Sequence, residues 1–354
     1  MTSTRLGVAI LGGGMAGNLL ARQLRRTLPD LQVGLFEKST EDPHKLGESM
    51  VELATHYFVK KLGLSSYLYD RHYPKNGLRF FFDTPERDAE LHEMSEIGSE
   101  SLPFHPAFQI DRARLDSDLA RMNAEDGVQV RRGVTVRDVE LGTDGAPHHF
   151  DVVEGGQKTR VEARWVVDAS GRSQLISHQQ NLREPEPELA NASVWGRFEG
   201  VADVDTLGPE SFRARVRHTS RRLSTLHFIY PGYWIWFIPL RGDVTSIGVV
   251  CERSVFRPEM RTEEGFLRFL RSHRAAGSLL ENAKPVDIGC YMNLSYQSRG
   301  FFSADRWGLT GEAACFADPL YSPGSDFIAL ENDFLPDLIS RDHRGASDRE
   351  LAER

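Results

Sequence analysis

An α/β fold, with a dinucleotide-binding Rossmann-like domain and an inserted, mostly antiparallel β-sheet domain, is predicted by three observations. The chain opens on a short apolar run, a glycine turn, a segment of helical period and a second apolar run that ends in an acid. Short buried-strand patterns return at residues 165–169 and 307–310. Between them, over residues 192–250, the pattern is mostly of strands. Alternation of strand and helix points to a parallel sheet, and strands in succession to an antiparallel one.

Size and composition agree. A chain of 354 residues accommodates two domains and a sizeable core. Apolar residues make up 40% and charged residues 27%, which excludes a disordered or fibrous chain. Lys plus Arg is 43 against 51 Asp plus Glu, a net charge of −8. Indiscriminate nucleic-acid binding needs the opposite excess. The longest apolar run, residues 233–240, falls far short of the roughly 20 residues of a membrane helix. The start resembles a secretory signal only faintly, and its glycines with no cleavage pattern fit a strand and turn better. Cys251, Cys290 and Cys315 stand far apart. An odd count without CxxC argues against a disulfide framework or a zinc site, so no metal and a reducing cytoplasm are expected.

Residues 6–11 read as a strand, 12–17 as a glycine turn, and 18–28 as a helix with Arg25 and Arg26 at its negative end. Residues 31–36 form the next strand, ending at Glu37, which completes a βαβ unit. Then come a helix over 47–63, a strand over 77–82, an extended stretch over 103–111, and a helix over 112–123 with Leu115 and Leu119 on one face. Residues 128–141, 150–154 and 158–163 read as a three-stranded meander with turns at 143–145 and 155–156. The Pro/Glu stretch 184–188 is the expected linker. Residues 263–274 read as a helix, and 326–340 as a last helix that Pro336 should kink. The expected division is 1–185 and 286–343 for the first domain, 186–285 for the sheet-rich insert, and 344–354 for a polar tail.

Gly12-Gly13-Gly14-Met15-Ala16-Gly17 fits GxGxxG. Gly12 permits the tight turn, and Gly14 lets the backbone approach a pyrophosphate. Gly17 lets the helix pack on the strand, with Met15 and Ala16 completing the phosphate cradle at its positive end. Glu37 follows about 20 residues on, where a carboxylate accepts hydrogen bonds from an adenosine ribose. A glycine-rich connection without a ligand would not need strand, turn, helix, strand and acid in that order. NAD and FAD both use this device.

Two later motifs resemble parts of an FAD site. Val166-Val167-Asp168-Ala169-Ser170-Gly171 is an apolar strand running into a small-residue turn. Leu309-Thr310-Gly311-Glu312-Ala313-Ala314 is another, and Glu312 could reach the ribitol hydroxyls. Asp318-Pro319 and Ser322-Pro323-Gly324 lead into a helix N-terminus, which favours anionic flavin or a halide. The chain here resembles the FAD-dependent oxidoreductases related to aromatic hydroxylases. Trp234-Ile235-Trp236-Phe237-Ile238-Pro239 is WxWxIP, the mark of the flavin-dependent, tryptophan-halogenase-like halogenases. The bland reading of the pair is a strand with aromatics on one face. The order of motifs follows that family from about residue 5 to residue 341.

The resemblance implies the following. FAD reduced by a separate flavin reductase reacts with oxygen, and a halide, chloride or bromide, becomes hypohalous acid. The acid passes through a tunnel to an essential lysine, which presents halogen to an electron-rich aromatic: a phenol, pyrrole or indole, free or borne by an acyl or peptidyl carrier protein. Trp234, Trp236, Phe237, Ile238 and Pro239 form the wall between flavin and substrate. Gly12, Gly14, Met15, Ala16, Gly17 and Glu37 hold the ADP half of FAD. Asp168, Gly311, Glu312, Asp318 and Gly324 lie near the flavin half, and Ser322 and Gly324 near the halide. Lys75-Asn76-Gly77-Leu78-Arg79-Phe80 resembles the KxGxxF stretch that carries the lysine. The amine must sit in apolar surroundings that lower its pKa, which Phe80, Phe81 and Phe82 could supply. Lys60 and Lys61 have the setting of solvated helix lysines. Gly47-Glu48-Ser49 resembles the family's Gly-Glu-Ser/Ala turn, and Glu48 is the second catalytic candidate.

Three features depart from the family pattern. Glu312 stands where Asp is usual. Pro323 has no N–H to offer a halide. The chain is short for the family, as a truncated or minimal member would be. A monooxygenase or dehydrogenase without the halide site, and a non-catalytic flavin-binding accessory protein, are therefore the alternatives. Residues 212–217 alternate apolar and basic like a half-buried strand with Arg213, Arg215 and Arg217 on one face. A solvated face is the favoured reading, and docking of an acidic carrier protein the sharper one. His92, His148 and His149 show no metal spacing, His105 reads as a structural hydrogen-bonding histidine rather than a base, and neither GxSxG nor a P-loop occurs.

Overall fold

The computed structural model describes residues 4–187 and 191–346. Most of the expected tail (347–354) and Glu188 of the expected linker lie outside the described residues.

The first sheet is built on strand Thr4–Leu11. It pairs in parallel with Val33–Glu37 on one side and Gln157–Asp168 on the other. Gln129–Arg132 adds beyond Val33–Glu37, also in parallel. Val8 and Ile10 pack on one face with helix Met15–Thr27 (Leu20, Leu24), and Leu6, Ala9 and Leu11 on the other. A strand covered on both faces reads as a continuous apolar run, which is why it is plain in the sequence.

The meander differs from expectation. The stretch 128–141 breaks at Gly133 (φ +72°) into Gln129–Arg132, parallel to Val33–Glu37, and Thr135–Glu140, antiparallel to His148–Glu154. The strands expected over 158–163 and 165–169 are one, Gln157–Asp168. Its first half pairs with His148–Glu154 and its last three residues pair in parallel with Trp307–Leu309, so one long edge serves two partners.

The second sheet runs Lys284–Met292, Ala192–Glu199, Val244–Cys251, Tyr233–Pro239, Thr225–Tyr230, Leu78–Phe82, Ser95–Ile97. All pairs are antiparallel except Thr225–Tyr230 with Leu78–Phe82. The expected boundaries are thus corrected: two strands come from within 1–185, and a third begins before 286. Arg183–Pro185, expected as linker, pairs with Tyr296–Ser298. One face of this sheet packs Val194, Phe198, Phe228, Ile235 and Phe237 against helices Glu263–Arg271 and Arg274–Leu279. The other carries Trp195, Trp236 and Ile238. The Trp236 indole lies over Gly248 of the neighbouring strand, where a Cβ would sit 2.2 Å from the ring.

Three local expectations are also corrected. Residues 47–51 are extended, because Met50 N–H donates to the Phe108 carbonyl (2.9 Å) and Ile110 N–H to that of Glu48 (2.6 Å). The helix is only Glu52–His56, followed by a wide turn at Tyr57–Lys61. Residues 212–217 are not a strand: Glu210–Arg213 is a helical turn that buries Phe212, so the three arginines share no strand face. The last helix, Gly324–His343, begins earlier than expected and runs on through Pro336. Among the described residues no helix is long and apolar enough to cross a membrane.

Candidate active site

The glycine turn has the shape its sequence requires. Gly12 adopts φ +123°, and a Cβ there would lie 2.2 Å from the Ala169 carbonyl oxygen. A Cβ on Gly17 would lie 2.1 Å from the carbonyl oxygen of Gly12. At Gly14 the nearest atom to a Cβ is 4.0 Å away, so space is open where a pyrophosphate would approach. Glu37 closes the turn, its two oxygens accepting from Gly13 N–H (2.7 Å) and Ser39 N–H (2.8 Å). Each oxygen keeps a lone pair for a ribose hydroxyl.

From Met15 a cleft, open at its mouth, runs between the two sheets. Trp234, Trp236, Ile238 and Val250 of the second sheet wall it on one side. Glu48, Ser49, Gly311, Glu312, Ser322, Pro323 and Gly324 also line it. Gly311 (φ +64°) is held by Glu331, which accepts from its N–H at 2.6 Å. Burial pushes the Glu331 carboxyl up to about 8. Ser322 is left-handed (φ 57°) and aims its hydroxyl at Ser49 Oγ, 3.0 Å away. Pro323 caps the helix Gly324–His343. The amides of Gly324 and Ser325 come too early in the helix to find an acceptor within it. They present the positive end of a long helix to the cleft, a setting suited to an anion. The glycine cradle, the acid and the apolar cleft together fit FAD.

Lys75, at the end of strand Tyr73–Lys75, is buried. Its Nζ donates to Ser49 Oγ (2.7 Å) and to the Met50 carbonyl (2.8 Å). Burial pulls its pKa down to about 7, with Glu52 and Asp326 opposing. The expected phenylalanine surround is only partly present. Phe80 stacks on His227 at 4.9 Å, Phe81 packs in the other face's core, and Phe82 is exposed. Lys60 and Lys61 are exposed.

Glu48 faces the cleft but is committed to Arg197, whose Nε and Nη2 donate to Oε1 at 3.0 and 2.8 Å. Both side chains are about 1% exposed. Burial pushes the Glu48 carboxyl up and Arg197 holds it down, so the pair fixes the extended 47–51 segment rather than supplying a free acid.

Four expected site residues are used otherwise. Asp168 accepts from the N–H groups of Ser170 (2.9 Å) and Ile176 (2.7 Å), shaping its own turn. Asp318 accepts from Leu320 N–H (3.0 Å) as a helix cap. Phe237 alternates onto the far face of its strand and packs on Phe228, and Pro239 shares that parity; neither lines the cleft. Arg112, Thr225 and His227 of the cleft escaped the sequence reading, which had Ser49 only as part of the Gly47-Glu48-Ser49 turn. His227 lies opposite Trp236 in the strand pair, and burial, then Lys75, pull its pKa down to about 3. Among the described residues no group of three His, Cys, Asp or Glu could hold a metal.

Fold and site together define a two-sheet α/β flavoprotein with a cleft between its sheets. The chain belongs to the tryptophan halogenase family, whose sequence model matches residues 7–81 and 83–347. The flavin-dependent halogenase chlA of Dictyostelium discoideum is 30% identical over 363 residues, 94% of this chain and 59% of that protein. The 1H-pyrrole-2-carbonyl-(peptidyl-carrier protein) chlorinase of Pseudomonas fluorescens is 26% identical over 335 residues, 90% of this chain and 72% of its own length. Among solved structures, the flavin-dependent halogenase CmlS superposes with a TM-score of 0.80 at 26% identity, covering all of this chain and 61% of its own. Halogenase PltM with phloroglucinol and FAD gives 0.83 at 20% identity, covering 98% and 72%. This chain therefore spans about three fifths of the length of chlA and of CmlS.

Proposed function

We propose that this chain is a flavin-dependent halogenase acting on an electron-rich aromatic of phenol, pyrrole or indole type. The observation that carries this is the Lys75 amine, buried beside the cleft and joined to its wall by Ser49. Bound FAD, kept reduced by a separate flavin reductase, supplies with oxygen the two-electron oxidation that turns halide into hypohalous acid. The glycine turn and Glu37 hold the ADP half. The Gly324 and Ser325 amides, with the Ser322 hydroxyl nearby, hold chloride or bromide in place of the donor that Pro323 lacks. Trp234, Trp236 and Ile238 keep the aromatic ring off the flavin. Lys75, its pKa lowered toward neutral by burial, hydrogen-bonds the hypohalous acid and presents halogen to the ring. The substrate is free or borne by a carrier protein, and the enzyme works in the cytoplasm, where its three free cysteines stay reduced.

Pro323 favours one second reading, a monooxygenase that no longer uses halide. Both are tested by incubating the protein with FAD, a flavin reductase, NADH, oxygen, bromide or chloride, and an indole or phenol probe. Mass spectrometry should show halide-dependent product, reduced about 100-fold or more in Lys75→Ala, in the range of a lost proton-handling group. Oxygenated product without halogen would establish the second reading. Halogenated product that survives Lys75→Ala would remove the lysine from its role.

A further inference from the structure

Lys75 itself does not line the cleft; Ser49 does. Besides the lysine, Ser49 Oγ meets Thr225 Oγ1 at 2.9 Å and Ser322 Oγ at 3.0 Å, and both of those residues line the cleft. A serine hydroxyl has one proton and two lone pairs, so three neighbours saturate it. An ammonium can only donate. With Lys75 charged, Ser49 accepts from Nζ and from Ser322 and turns its own proton to Thr225. A neutral amine still donates to the Met50 carbonyl and gains a lone pair, so Ser49 can turn its proton to Nζ. The direction of the hydroxyl chain is therefore tied to the charge on the lysine. Ser49 is held in place for this by an isolated bridge to Gln109 and by the Glu48–Arg197 pair beside it.

We propose that Ser49 is a positioning and proton-relay residue through which Lys75 exchanges its proton with the cleft by way of the Ser322 and Thr225 hydroxyls. The inference rests on Lys75 being the halogen-transferring amine. In the outward relay the Nζ–H bond breaks as a new Ser49 O–H bond forms. The proton Ser49 held passes to Thr225 Oγ1, and the one Thr225 held passes to water in the cleft. No hydroxyl is left charged, and the amine becomes neutral without bulk water reaching it. The charged and titratable groups that face Nζ are Glu52 and Asp326, which favour the ammonium; the His227 ring, its pKa pulled down to about 3 by burial and then by Lys75, is neutral and adds no charge.

The test is a titration of Lys75 by NMR in intact protein labelled with carbon-13 at lysine Cε. The chain has only seven lysines, and the Lys75 signal is assigned by its loss in Lys75→Met. Ser49→Ala removes the acceptor. Thr225→Val removes the group that takes Ser49's proton, although Thr225 makes no hydrogen bond to the amine. Both should lower the Lys75 midpoint by about one pH unit, a tenfold change in the ammonium–amine ratio, and move the pH profile of halogenation with it. An unchanged midpoint in Thr225→Val would overturn the relay even if Ser49→Ala fails to fold. A wild-type protein that yields no halogenated product while both midpoints fall would refute the proposed function and leave the relay standing.

Discussion

Replacing Lys75 by methionine should make the protein less sensitive to pH, by an amount the structure fixes. Lys75 is 3% exposed, and burial pulls its ammonium from 10.5 down to about 7. Below pH 7 the lysine is charged in both the folded and unfolded states, and the folded state carries the whole cost of desolvating it. Between pH 7 and 10.5 the unfolded chain binds more protons, so stability rises with pH, by up to about 1.4 kcal/mol per unit. Over the 3.5 units between the two values this amounts to about 5 kcal/mol. Above 10.5 the amine is neutral in both states and the slope ends. Methionine has a similar volume and no titration. The hydrogen bonds lost to Ser49 and Met50 shift the comparison by a constant, while the slope reports the titration alone. Urea denaturation of both proteins from pH 6 to 10.5 should show wild type gaining about 5 kcal/mol relative to Lys75→Met. A difference that stays flat between pH 7 and 10 would refute the desolvation argument and, with it, the near-neutral amine on which the proposed chemistry depends.

Other outcomes follow from the same geometry. Gly12→Ala, with its Cβ driven onto the Ala169 carbonyl oxygen at φ +123°, should emerge from gel filtration without FAD. Gly300→Ala, with nothing within 4 Å, should retain it. Arg197→Met strands the buried Glu48 carboxylate and should cost about 3–5 kcal/mol in urea denaturation; adding Glu48→Gln should restore part of that. Phe237→Ala should cost about 3–5 kcal/mol of stability with the pattern of halogenated isomers unchanged, whereas Trp234→Phe should change that pattern, read by chromatography, at little cost in stability.

What the sequence disclosed and what it hid divide by distance along the chain. The glycine turn and Glu37 were legible because turn, helix start and acid lie within one βαβ unit, where backbone geometry dictates residue type. The apolar setting expected of Lys75 from its motif matches its burial, but its hydrogen bond to Ser49 was not legible, nor the meeting of Ser49 with Thr225, whose strand Thr225–Tyr230 pairs in parallel with Leu78–Phe82. Arg197 was invisible for the same reason, standing 149 residues from Glu48. At Asp168 and Asp318 the sequence did not show that each carboxylate serves its own turn's amides, a use as open to an acid beside a turn as a ligand is. Phe237 misled because a motif is read as a block while a strand alternates its side chains.

The glycine beneath Trp236 bears on the width of the cleft. Gly248 has no surface on the cleft, yet its missing side chain is what allows the indole to lie flat against the sheet. A single methyl there would lift the ring away from the sheet and into the cleft. The width of the cleft can therefore change through a residue that does not line it, and variants restricted to cleft-lining positions would pass over one of the simplest ways to narrow it.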